Sequence, residues 1–170
     1  SKDANPEGKI HNGADDNASG ISAILEIAQK FASERKNIKR SIVFIAFGAE
    51  EMGLVGSQRF VESDIIPVSN IKAMINLDMV GRLVENKLEI SGTKTSVQSE
   101  QILNELNADS TFKLGLTPSG FGPSDHASFY AKNIPVFFIT TGIHLDYHTP
   151  FDDIDKINAE GMQKVTDYTY

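Results

Sequence analysis

The chain of 170 residues has no cysteine, which excludes disulfides, thiol catalysis and thiolate metal ligands and leaves His, Asp and Glu as the protein groups able to hold a metal. It also lacks long apolar runs: the longest are of strand length, far short of the ~20 residues a membrane-spanning helix needs. The residues from Ser1 onward show no signal-peptide pattern, so a mature or excised soluble domain is expected. Positive charge is in the minority, with 16 Lys and Arg against 23 Asp and Glu and a formal charge of -7. No Lys/Arg block stands out that could neutralise a run of phosphates, so nucleic acid is not an expected partner. Neither internal repeats nor low-complexity linkers are found, and at this length one globular domain over 1–170 is expected.

What is present is alternation of two periodicities. Ser1 to Gly13 has no apolar period and reads as loop. Ile21, Ile24, Leu25, Ala28 and Phe31 repeat with helical spacing, which predicts a helix over Ala18–Glu34. Ser41–Phe47 is an unbroken apolar run, the pattern of a strand buried on both faces of a parallel sheet. Leu54–Glu62 reads as helix, Ile71–Asp78 as a second buried strand, Lys87–Ser91 as a short third one and Val97–Asn107 as an amphipathic helix. A Gly/Pro-rich loop, Leu116–Pro123, leads to a short helix capped by Ser124; Ile134–Thr140 is a further strand, and Asn158 caps a last helix. Helices alternating with unbroken apolar strands predict an α/β fold, a mostly parallel or mixed central sheet with helices on both faces.

The chemistry lies in where the carboxylates and imidazoles fall. Glu50 and Glu51 follow the run ending at Phe47, Asp78 closes the strand ending at Leu77, and His144, Asp146 and His148 follow the strand ending at Thr140. Ligands of open α/β sheets bind beyond the carboxyl ends of the strands. Asp15 and Asp16 precede a helix and join the same edge if a strand precedes them. Taken singly, Asp15, Asp16 and Asn17 read as helix caps, Glu50-Glu51 as a solvated turn, and His11 and His144 as surface groups. Gathered on one edge they repel one another unless protons or a cation neutralise them, which favours a metal. With only O and N donors, zinc or another divalent transition metal fits, and the surplus of ligands over one tetrahedral site points to two ions about 3.5–4 Å apart.

Five segments, in this order, carry a resemblance that spans nearly the whole chain: Gly13-Ala-Asp-Asp-Asn-Ala-Ser-Gly20, Phe44-Ile-Ala-Phe-Gly-Ala-Glu-Glu-Met-Gly-Leu-Val-Gly-Ser57, Asn76-Leu-Asp78, Ser124-Asp-His-Ala-Ser-Phe129 and Tyr147-His-Thr-Pro150. The chain resembles the dinuclear zinc exopeptidases typified by bacterial leucyl aminopeptidase and aminopeptidase Y, with glutamate carboxypeptidase and the transferrin receptor as distant relatives. The resemblance implies an aminopeptidase acting on peptides with a free N-terminus, in which two zinc ions hold a bridging water and Glu50 is the general base. It further implies Asp16 as the carboxylate bridging the ions, with a cis peptide bond to Asn17, and Glu51, Asp78 and His148 as terminal ligands. Asp152, four residues past His148, is a candidate partner behind the ligands, and Asp125 a candidate for the same supporting shell or the substrate pocket. A periplasmic or secreted home follows from the same resemblance.

Two departures qualify the match. The family supplies its first zinc imidazole from a His-x-Asp motif on an upstream strand, and no residue before His11 matches it; His11 lacks the motif and lies too close to Asp16. The chain is therefore expected to be a fragment of a catalytic domain, truncated at its N-terminus and possibly at its C-terminus, and short of one zinc ligand for activity on its own. Phe121 stands in a loop where some relatives carry a tyrosine that stabilises the oxyanion. Ser124-Asp-His looks like a nucleophilic constellation, although three sequence neighbours rarely form a triad and a capped helix start is the favoured reading. The resemblance also admits a glutaminyl cyclase, an acyltransferase with one zinc and no peptide hydrolysis, or a receptor domain of the same fold without catalysis.

Overall fold

The computed structural model describes residues 9–63 and 65–170. The Ser1–Gly8 part of the expected loop lies outside them, and Lys9–Gly13 has no regular structure. The described residues form α1 (Gly20–Ser33), α2 (Val55–Glu62), β1 (Met74–Leu77), β2 (Lys87–Ser91), α3 (Ser99–Leu106), β3 (Lys113–Thr117), α4 (His126–Tyr130), β4 (Val136–Thr140) and α5 (Ala159–Thr169). The class is α/β, with a mixed four-stranded sheet in the order β1-β4-β2-β3. The chain folds as two compact units and crosses between them after Phe44, Asn76, Lys87 and Ile139.

In the unit formed by residues up to 44, 77–87 and 140–170, α1 packs against α5. Ala23 and Ile27 of α1 and Val165 of α5 are buried, whereas Ile21 and Leu25 of the expected apolar face are exposed, so α1 turns a different face inward from the one its spacing marks. Asn158 caps α5 as its sequence position predicts: Oδ1 accepts from the Gly161 N–H at 2.9 Å, while Nδ2 donates to the Leu83 carbonyl at 2.8 Å. The helix cap thus also fastens the segment that follows β1.

The unit formed by residues 45–76 and 88–139 contains nearly all of the sheet. Its core gathers Val61 from α2, Phe129 from α4, and Ile134 and Val136 at β4, with Phe47, Phe60 and Met74 packed against them. Phe47, Phe60 and Phe129 form a triangle with ring centroids 5.7 to 6.0 Å apart, within the range of favourable tilted and edge-on pairs.

Four local expectations are corrected. Ser41–Phe47 forms no strand, and Ile42, Val43 and Phe44 are exposed; an apolar run sets a propensity, but a strand needs a neighbouring backbone to pair with, and no described residue supplies one. The strand expected over Ile71–Asp78 shortens to β1, which lies at the sheet edge with Ile75 exposed, so it is not buried on both faces. The expected loop from Leu116 begins inside β3, a strand that Gly115 disguises by interrupting its side-chain pattern. Ser124 does not cap α4; that position is held by Asp125, and the Ser124 hydroxyl accepts instead from the Asn76 amide at 2.7 Å.

The aromatic triangle makes a direct prediction. Phe129→Ala should lower unfolding free energy by about 3–5 kcal/mol, the range for truncating a buried aromatic, read from urea denaturation of the variant against wild type. A loss below about 1 kcal/mol would be incompatible with Phe129 anchoring this core.

Candidate metal centre

The first unit builds its site from the segment that leads into α1. Gly13 is left-handed at φ 59, and a Cβ there would lie 2.5 Å from the Asp16 carbonyl oxygen, so glycine is required for the turn. The Asp16–Asn17 peptide bond is cis. The two aspartates take different partners: buried Asp15 accepts from the Gly81 N–H through Oδ1 at 2.6 Å, and its Oδ2 lies 3.2 Å from His144 Nε2. Asp16 Oδ2 lies 3.1 Å from His148 Nε2. The His148 ring stacks on Tyr147 with centroids 3.7 Å apart.

Asn17 connects this segment to Asp78. Its Nδ2 donates to the Leu77 carbonyl at 2.9 Å, and its Oδ1 accepts from the Met79 N–H at 3.3 Å and the Gly20 N–H at 3.0 Å. One carboxamide therefore holds the backbone on both sides of Asp78 and starts α1. The residues after β4 run alongside: Thr141 donates to the Met79 carbonyl from its N–H at 2.9 Å and from its hydroxyl at 2.7 Å.

Asp152 underlies the aspartate pair. Its Oδ2 accepts from the N–H groups of Asp15 and Asp16, both at 3.0 Å, and its Oδ1 accepts from Arg82 Nη2 at 2.7 Å. Burial alone would push the Asp152 pKa up, but these donors outweigh it and hold the carboxyl below its ordinary range. Arg82 reaches Asp146 with its other terminal nitrogen at 2.6 Å, and Lys156 meets the far oxygen of Asp146 at 2.9 Å.

In the second unit Glu50 and Glu51 lie in a turn whose carbonyl at Glu50 accepts from the N–H groups of Gly53 and Leu54 at 3.0 and 2.8 Å. A Cβ at Gly56 would lie 2.4 Å from the Gly48 carbonyl oxygen, which explains the glycine where α2 meets this turn. Behind it, buried Ser57 bonds Ser128 at 2.8 Å and the Leu54 carbonyl at 3.2 Å. Burial pushes the Asp125 carboxyl pKa up, partly opposed by its hydrogen bond with Ser57. Phe121 is 65% exposed and edge-on to Tyr130 at 4.6 Å. His126 is fully buried, stacked on Phe138 at 4.5 Å, and neither ring nitrogen has a hydrogen-bond partner among the described residues. With the Ser124 hydroxyl engaged by Asn76, the Ser-Asp-His run forms no triad.

Of the expected site residues, the first unit thus brings Asp16 to His148, frames Asp78 through Asn17 and sets Asp152 beneath; Glu50, Glu51, Asp125 and Phe121 belong to the second unit. Three of the eight described non-glycine residues with positive φ lie at or beside expected site residues. Ala49, next to Glu50, Met79, next to Asp78, and His148 itself are non-glycine residues at φ 58, 58 and 59, a region such residues adopt rarely and chiefly where surrounding structure enforces it. Ligands about 2.0–2.2 Å from a tetrahedral zinc stand roughly 3.3–3.5 Å apart. The 3.1 Å between Asp16 and His148 is within a few tenths of that, and a carboxylate with an imidazole suits the ion. Sequence reasoning missed Arg82, whose signal was a cation four residues past Asp78 in an acid-rich chain.

The profile of peptidase family M28 matches residues 2–170. Aminopeptidase YwaD of Bacillus subtilis (strain 168) is 36% identical over 167 residues, which cover 91% of this chain and 36% of that protein. The structure of BSAP, a zinc aminopeptidase from Bacillus subtilis, aligns with a TM-score of 0.78 at 30% identity over 94% of this chain and 41% of that one. LapA aminopeptidase of Legionella pneumophila aligns with a TM-score of 0.80 at 29% identity over 94% of this chain and 45% of that one. The chain spans less than half the length of each of these relatives.

The buried imidazole sets a pH dependence. Burial pushes the His126 pKa down to about 4, whereas the unfolded chain protonates it near the ordinary ~6.5. A base with a depressed folded pKa contributes stability that is intact above about pH 6.5 and lost as pH falls towards 4, by up to about 3 kcal/mol. Urea denaturation at pH 7, 5 and 4 should show this fall, and His126→Phe should flatten it. Equal slopes in the two proteins would remove His126 as the titrating group.

Proposed function

Because the chain belongs to peptidase family M28, we propose that it forms part of the catalytic domain of a zinc-dependent exopeptidase, an aminopeptidase acting on peptides with a free N-terminus. The observation that carries this is the carboxylate–imidazole pair of Asp16 and His148 at 3.1 Å, secured by the buried framework around Asp152. The relatives described as aminopeptidases and as zinc aminopeptidases support both the reaction and the metal. By the family resemblance, Asp16, Glu51, Asp78 and His148 would hold the metal. Zinc, when bound, acts as a Lewis acid towards the scissile carbonyl and makes water a nucleophile near neutral pH.

The chain's own part is to move one proton. Glu50 takes it from the attacking water as the oxygen bonds to the carbonyl carbon, then delivers it to the amine nitrogen as the C–N bond breaks. Glu50 is half-buried, and its carbonyl is fixed by the turn, so its carboxylate starts from a constrained backbone. Phe121 has no hydroxyl to offer the developing oxyanion, so that stabilisation falls to other groups.

In the complete protein Glu50→Gln should retain its zinc and lose about 10²–10⁴-fold in kcat, measured by hydrolysis of an aminoacyl anilide alongside elemental metal analysis. A kcat close to wild type would take the role of base away from Glu50. A wild-type protein that binds no zinc and cleaves no anilide would sink the peptidase reading.

A further inference from the structure

We propose that Arg82 is a positioning residue for the metal centre, a clamp that fixes the loop carrying His148 against the segment carrying Asp16. The proposal rests on the metal reading above and extends it to a residue outside the ligand set. Arg82 sits four residues past Asp78, and its side chain is only 13% exposed. One terminal nitrogen donates to Asp146 at 2.6 Å and the other to Asp152 at 2.7 Å. These two carboxylates lie two residues before and four residues after His148, so a single guanidinium grips the loop on both sides of the imidazole. Asp152 then passes the constraint on, since its other oxygen accepts from the N–H groups of Asp15 and Asp16 at 3.0 Å each. The Ala14 N–H adds a bond to the Asp152 carbonyl at 3.0 Å.

The chain of contacts from Arg82 to His148 runs through one loop, and that from Arg82 to Asp16 through one carboxylate. Arginine is the required residue because its planar fork presents two terminal donors at fixed separation, whereas lysine is a single point charge that can serve one carboxylate well. The Arg82 backbone is itself tied down by its N–H to the Thr141 hydroxyl at 3.3 Å. Partners standing behind metal ligands set their orientation, and losing one costs about 10–100-fold in metal affinity.

The test is zinc affinity of the complete protein, measured by competition with a chromophoric chelator, with far-UV circular dichroism of the metal-free proteins fixing the folded fraction. Arg82→Lys should weaken zinc binding by about 10–100-fold, and Asp146→Ala, which opens one arm of the clamp and leaves Asp152 gripped, should weaken it less. At saturating zinc both variants should recover most of their kcat, which a residue touching the substrate would not allow. If Arg82→Ala fails to fold, the Lys and Asp146 variants carry the measurement. Wild-type zinc affinity in folded Arg82→Lys, whatever its melting temperature, overturns the positioning role alone. A wild-type protein with no zinc affinity overturns the metal reading and this role with it.

Discussion

A buried negative charge, the carboxylate of Asp152, is the constraint on which the first unit depends. It is 1% exposed, and an ion removed from water costs several kcal/mol unless its lone pairs are matched. Two backbone N–H groups and one arm of a guanidinium supply that match. The arrangement cannot be dismantled piecemeal, because taking away any one donor leaves the charge buried and under-satisfied. The cost of burial is thereby converted into precision: the segments holding Asp16, Arg82 and His148 must come together for the charge to be tolerated at all.

A division of labour between adjacent aspartates follows from this. Asp15 is sequestered, with one oxygen on the Gly81 N–H and the other against His144, while Asp16 turns towards His148. Two adjacent carboxylates would ordinarily repel, and here each has its own imidazole partner. In the second unit the turn that carries Glu50 and Glu51 is fixed by backbone hydrogen bonds and by close packing of Gly56 on Gly48.

Periodicity made most of the fold legible in the sequence. The helices α1, α2 and α3 and the strands β2 and β4 fall where apolar spacing places them, although α1 buries Ala23 and Ile27 and leaves Ile21 and Leu25 of the expected face exposed. The failures share a cause. Ser41–Phe47 and β1 were read as buried from composition, but burial is a property of what lies alongside. Lys113–Thr117 carried too little pattern around Gly115 to announce a strand. Among the expected site residues, position after a strand or before a helix marked Asp15, Asp16, Asp78, His144, Asp146 and His148 alike, and the family resemblance chose Asp16, Asp78 and His148 from them. Arg82 escaped, and of Asn17 only the contact that starts α1 was read, since their other work is done through hydrogen bonds to distant backbone and carboxylate groups, which no local spacing records.

The carboxamide of Asn17 has a mechanical consequence. It is covalently next to Asp16, and it bonds the carbonyl before Asp78 and the N–H after it. Asp16 and Asp78 are 62 positions apart in the chain, yet their backbones share one rigid planar group as a common reference. Shifting either backbone segment therefore strains the hydrogen bonds that tie it to the other.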